Sequence, residues 1–151
     1  KVDISTGDVI TPREIHYNYM PHLENEEIEI WAYNMETVTA EKLETVITRG
    51  IANTRMKDFY DLYILQNKNV KIDIPTLQAA FINTANYRNS IFYKDGKIDM
   101  DYCLQQIDKI QNNQRMQRLW QNYVRKHPFV NDLTFNQTIL AARDWIKKID
   151  N

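Results

Sequence analysis

Ile28-Glu29-Ile30-Trp31-Ala32-Tyr33-Asn34-Met35-Glu36-Thr37-Val38-Thr39-Ala40-Glu41-Lys42-Leu43 is the stretch on which the fold turns. In its first part Ile28 and Ile30 alternate with glutamates ahead of Trp31, Ala32 and Tyr33. A period of two puts successive side chains on opposite faces of a strand. From Asn34 onward the period is helical. Asn34 suits an N-cap, and Glu36 falls in the first turn, where the helix dipole favours an acid. Leu43, Val46 and Ile47 follow at helical spacing until Gly50, a residue that stops helices.

On the N-terminal side the extended character continues. Val2 and Ile4 flank Asp3, while Ile15, Tyr17 and Tyr19 alternate with His16 and Asn18. Turn chemistry at Thr6-Gly7-Asp8, Thr11-Pro12 and Pro21 to Asn25 separates these runs. Three short strands make a marginal sheet unless something covers their apolar face. On the C-terminal side a second helix opens near Asn53-Thr54, with Met56, Phe59, Tyr60 and Tyr63 on one face. Pro75, suited to a first helical turn, starts a third helix running through Leu77, Phe81, Ile82 and Ala85 as far as Ile91. Asp95-Gly96 is a turn, and helices follow near 99–109, 112–126 and 135–149, the last opened by Thr134 with Gln137 three residues on. The expectation is an α+β fold: a small antiparallel β portion over residues 1–34, then a helical body of five to six helices.

Composition narrows the function classes. Nineteen Lys+Arg against 20 Asp+Glu leave the 151 residues with a formal net charge of −1, so there is no overall basic field for nucleic acid. With 43% hydrophobic and 26% charged residues, a packed core is expected rather than disorder. A single cysteine, Cys103, excludes an internal disulfide and a multi-cysteine zinc site, and fits a reducing, cytoplasmic setting. No apolar run approaches the ~20 residues that span a bilayer. The three glycines, Gly7, Gly50 and Gly96, are far apart, which excludes a P-loop or a dinucleotide fingerprint within these residues. The first residue is Lys1 rather than Met, and it stands in an expected strand, so the chain is expected to begin partway through a longer protein.

Chemistry concentrates between Ala40 and Tyr63. Lys42 has Val38 four residues before it and Val46 four after, so its stem lies at the edge of the core stripe. A lysine so placed either snorkels or points into a cleft to hold an anion. Arg55, Asp58 and Asp61 recur at three-residue steps along the next helix, with Lys57 four residues before Asp61. They form either an ion-pair ladder or a site in which an aspartate serves a metal or a reacting hydroxyl and Arg55 orients it.

The blocks Ala40-Glu41-Lys42-Leu43, Arg49-Gly50 and Arg55-Met56-Lys57-Asp58-Phe59-Tyr60-Asp61-Leu62-Tyr63, with the opening Lys1-Val2-Asp3-Ile4-Ser5-Thr6-Gly7-Asp8, resemble the AbiEii/AbiGii toxin family of nucleotidyltransferases. The resemblance is strong over residues 1–65 and weak over 66–151, dividing the chain into the C-terminal part of a nucleotidyltransferase core and a helical C-terminal region. It implies a DNA polymerase β-like core, the toxin role in toxin–antitoxin and abortive-infection (phage-defence) systems, and Mg²⁺-dependent transfer of a nucleotide from an NTP, with the tRNA 3′ end as acceptor. It implies that Asp3 is the third metal-binding acid and that Lys42 contacts the nucleotide phosphates. Asp58 matches a catalytically required acid, and Arg55 and Asp61 match neighbouring nucleotide-binding positions.

One departure is decisive. The family's first motif, a Gly-Ser or Gly-Gly turn followed by Asp-x-Asp on a strand, falls upstream of Lys1. Asp99-Met100-Asp101 is better explained as a helix cap. The 151 residues are therefore expected to be inactive alone and to leave the β face of residues 1–34 partly uncovered, open to a partner copy; a cognate antitoxin is the other implied partner. The competing reading is a non-enzymatic helical module that binds a protein such as an antitoxin. A degenerate relative that keeps the fold without the activity is a third.

Other candidates carry less. His16, His22 and His127 lack metal-ligand spacing, and Cys103 reads as a small apolar filler. Arg115, Arg118 and Arg125 lie roughly opposite Met116, Leu119 and Tyr123. With Trp120 they form either an RNA-facing stripe or the solvated face of an amphipathic helix whose Trp120 is in the core.

Overall fold

The computed structural model describes residues 7, 9–21, 26–68, 70–130 and 132–150. Two strands, β1 (Ile15–Tyr19) and β2 (Ile28–Ala32), pair antiparallel with Tyr17 opposite Ile30. Helices α1 (Met35–Arg49), α2 (Met56–Asn67) and α3 (Ile74–Tyr87) follow, then a two-residue hairpin of β3 (Tyr93–Lys94) and β4 (Lys97–Ile98). Helices α4 (Met100–Gln111), α5 (Gln114–Lys126) and α6 (Phe135–Asp150) complete the α+β layout. Short 3₁₀ turns at Gly50–Ala52 and Pro128–Val130 precede α2 and α6.

The β portion is tied to the start of α1. Among the described residues its sheet has two strands, and the strand expected around Val2 and Ile4 lies outside them. Residues 9–14 form a segment lashed to the start of α1. Asn34 does both jobs at that point. Its Oδ1 caps α1 by accepting from Thr37 N at 2.8 Å, while its Nδ2 donates to Thr11 O at 2.7 Å and to Arg13 O at 3.2 Å. Thr11 N in turn donates to Thr37 Oγ1 at 3.0 Å, and Asn83 Nδ2 of α3 donates to Thr11 Oγ1 at 3.0 Å. Asp95-Gly96 is more than a turn. Both residues have positive φ, 51° and 80°, the type I′ geometry that joins two twisted strands.

Most helix ends follow their sequence signals. Gly50 ends α1 with φ 50°. Asp99 caps α4 by accepting from Tyr102 N at 2.9 Å. Thr134 and Gln137 form a reciprocal capping box, with Thr134 N to Gln137 Oε1 at 2.9 Å and Gln137 N to Thr134 Oγ1 at 3.3 Å. Helix α3 is shorter than expected. Asp73 caps it, and it stops at Tyr87, where Asn89 takes a positive φ of 50° and redirects the chain.

The core lies between α1, α2, α3, α4 and α6. Helix α1 packs chiefly on α3, and α6 chiefly on α2 and α4. Phe59 meets Phe135 edge-on with centroids 5.6 Å apart, and Trp145 Nε1 donates to Leu62 O at 3.0 Å, fixing α6 against the backbone of α2. Cys103 is fully buried in α4, and burial pushes its thiol up to about 12, with the charge of Asp99 adding to the effect. Helix α5 sits at the margin, anchored by Trp120, whose Nε1 donates to Leu133 O at 3.1 Å. No helix among the described residues is long and apolar enough to cross a membrane.

Candidate functional site

Helices α1 and α2 pack against each other, and the short Gly50–Ala52 turn between them sets where their charged edges meet. Lys42 projects from the middle of α1 and Asp58 from the first turn of α2, with Asp61 one turn further on. Lys42 Nζ lies 2.7 Å from Asp61 Oδ2 and 3.2 Å from Asp58 Oδ1. Arg55 Nε is 3.0 Å from Asp58 Oδ2, and Lys57 Nζ is 2.6 Å from Asp61 Oδ2. The structure thus brings Lys42, Arg55, Asp58 and Asp61 to one place. Asp3 lies outside the described residues.

Burial grades this cluster. Asp58 is only 2% exposed and the Lys42 side chain 19%, while Arg55 and Lys57 extend into solvent. Arg55 Nε pairs electrostatically with Asp58 Oδ2 without aligning an N–H on it, so that oxygen has no hydrogen-bond partner. Asn53, fully buried just upstream, accepts from Arg55 N at 2.8 Å and so fixes the entry into α2. Burial pulls the Lys42 ammonium toward neutrality, but the hydrogen bonds and charges of Asp61 and Asp58 outweigh it and hold its pKa above the ordinary value.

Three cations therefore face two carboxylates. Such a balance attracts an anion. Among the described residues no group of three or more His, Cys, Asp or Glu side chains is placed to hold a metal. The intrahelical ladder and the shared site also prove compatible. Arg55–Asp58 and Lys57–Asp61 are the ladder, and Lys42 reaches across from α1 to join it.

A family model described as the nucleotidyl transferase AbiEii toxin of type IV toxin–antitoxin systems matches residues 1–147. The chain belongs to the AbiEii family. No curated protein and no solved structure gives a significant match. In this AbiEii chain the match extends through the helical region where the sequence resemblance was weak.

Sequence reasoning missed one approach to the cluster. Tyr123 stands on α5, which packs on α2, and its phenol is pushed up by burial, then by the charge of Asp61, by Tyr60 and by the charge of Asp58. No local signal marks it, because α5 is distant in sequence from both helices of the site. On α5 the structure agrees with the amphipathic-helix alternative in the placement of Trp120. Trp120 is in the core, and Arg115 Nη1 donates to Ile51 O at 2.7 Å. His16 contacts Trp31 and Glu29 on the hairpin, and His127 stands among aromatic rings; His22 lies outside the described residues.

Proposed function

We propose that this AbiEii chain contributes the phosphate-holding part of a site that transfers a nucleotide from an NTP to the 3′ hydroxyl of tRNA. The observation that carries the reading is the meeting of Lys42 with Asp58 and Asp61, with Arg55 and Lys57 supplying the remaining charge. An ammonium has three N–H donors. Two serve the aspartates, leaving one for a phosphate oxygen of the nucleotide. Phosphoryl transfer is mainly positioning and charge neutralisation, and a half-buried lysine held at two points is a well-positioned charge.

Asp58, too buried to be a surface group, is the residue we assign to holding Lys42 and Arg55 in place, and it is required for catalysis through them. Asp61 shares that task for Lys42, and the solvent-exposed Lys57 can swing onto the phosphate tail. Mg²⁺ would shield the phosphates and activate the attacking oxygen. Asp3 is our proposed ligand for it. The setting we propose is cytoplasmic, where NTPs and tRNA are found.

The decisive assay incubates the protein as its gene encodes it with labelled NTPs, Mg²⁺ and total tRNA. Incorporation at the tRNA 3′ end that is lost in Lys42→Ala and Asp58→Asn supports the reading. Incorporation unaffected by both substitutions refutes it. A second reading, a protein-binding module, draws on the exposed apolar side chains of Ile15, Tyr17 and Ile28 on one face of the β1–β2 hairpin. There the occupant we propose is a second copy of the chain, and antitoxin binding is the rival outcome.

A further inference from the structure

The 3₁₀ turn Pro128–Val130 is pinned by Val130, which is buried, yet it holds the ring of Phe129 outward, 68% exposed. An exposed phenylalanine alone needs no explanation. This one stands at the end of a connected set of rings. Phe129 meets Tyr60 of α2 at 5.6 Å between centroids, in an edge arrangement, and His127 at 5.6 Å. His127 meets Tyr123 of α5 at 4.4 Å. Tyr60 is half-buried and directly precedes Asp61, and the Tyr123 phenol feels the charges of both Asp61 and Asp58. The ring set therefore begins beside the carboxylates that hold Lys42 and ends in an aromatic surface open to solvent.

We infer that Phe129, supported by Tyr60 and His127, is a stacking surface for the base of a nucleotide whose phosphates lie at Lys42. The inference rests on the phosphate reading of Lys42 given above. A heteroaromatic base is the ligand part that suits a flat, exposed ring next to an anion-attracting cluster. Every base offers a π-face, so such a surface tolerates different bases. The rim rings are held by their neighbours, so little ordering is needed when a base arrives. Helix α5 and the turn after it thereby acquire a task.

The test compares ligands with and without a base on the full chain. Affinities for the four ribonucleoside triphosphates and for inorganic tripolyphosphate are measured by calorimetry for wild type, Phe129→Ala, Phe129→Trp and Lys42→Ala. The expected result is that Phe129→Ala weakens triphosphate binding on the order of 10-fold and leaves tripolyphosphate unchanged. Phe129→Trp should retain binding, and Lys42→Ala should weaken both ligands. Because Phe129 is exposed, its variants should melt with the wild type. If Phe129→Ala leaves nucleoside triphosphate binding unchanged, or weakens both ligands equally, the stacking surface is wrong while the Lys42 site stands. If wild type binds neither ligand, the Lys42 reading fails and takes this inference with it.

Discussion

Lys42 Nζ and Asp61 Oδ2 meet at 2.7 Å between α1 and α2, and the same ammonium reaches the deeply buried Asp58 at 3.2 Å. Removing Lys42 leaves Asp58 with Arg55 alone, and Arg55 is too solvated to replace it. Lys42→Met should lower stability by about 1–3 kcal/mol, below the figure for a fully buried pair because solvent still reaches the lysine. A double-mutant cycle with Asp61→Asn should show coupling between the two positions. Urea melts measure both, and additivity would mean that the contact carries no energy.

The alkaline limb of stability follows from groups whose pKa the fold raises, Lys42 and Cys103 together with Tyr123. The Lys42 ammonium has a raised pKa in the folded chain, so its contribution is complete below the ordinary 10.5 and is lost as pH rises through the raised value. The Cys103 thiol stays protonated when folded up to about 12 but ionises near 9.0 when unfolded, so it draws stability down as pH climbs between those values. Melting temperatures from pH 8 to 11 should fall, and less steeply in Cys103→Ala than in wild type. A thiol reagent at pH 8 should label Cys103 only when urea is present.

Glu44 is 4% exposed and accepts from Ser90 Oγ at 2.6 Å, from Thr48 Oγ1 at 2.6 Å and from Arg88 Nη1 at 2.8 Å. It fastens α1 to the chain just beyond α3. Arg88→Met leaves that buried charge with only the two hydroxyls and should cost about 1–3 kcal/mol. Glu44→Gln, which keeps one acceptor oxygen for Ser90 and Thr48 and leaves no buried charge, should cost less. Equal melting temperatures for both variants would contradict this account.

The apolar face of β1–β2 should make the chain self-associate. Sedimentation velocity should show a concentration-dependent increase in size that Tyr17→Lys with Ile28→Lys abolishes. A monomer at all concentrations would remove a second copy as the occupant of that face.

Much of this was readable from sequence because it is local. Asn34, Gly50, Asp99 and the Thr134–Gln137 pair act on backbone within a turn of themselves, so residue type and spacing suffice to place them. Likewise, the three-residue steps of Arg55, Asp58 and Asp61 put them on one edge, and resemblance marked Lys42. What sequence could not supply is distance across the fold. That Lys42 bridges to α2 depends on the angle set at Gly50–Ala52, and the charge of Asp61 acts on Tyr123 only because α5 packs on α2. That residues 9–14 are tied to α1 and α3 by hydrogen bonds from Asn34, Thr37 and Asn83 is likewise a long-range matter that spacing does not reveal. The β3–β4 hairpin was missed because two-residue strands carry no periodicity.

Helix α1 bears the Asn34–Thr37 clasp on Thr11 at its start, Lys42 at its middle and Glu44 just beyond. Each added residue would turn everything after it by about 100°. A one-residue insertion between Thr37 and Lys42 would therefore swing the ammonium away from α2 and the carboxylate away from Ser90 in the same stroke. The helix has a single usable phase, set at one end by the segment preceding β1 and read at the other by the charged cluster. Length between those points is as much a part of the site as the identity of any residue in it.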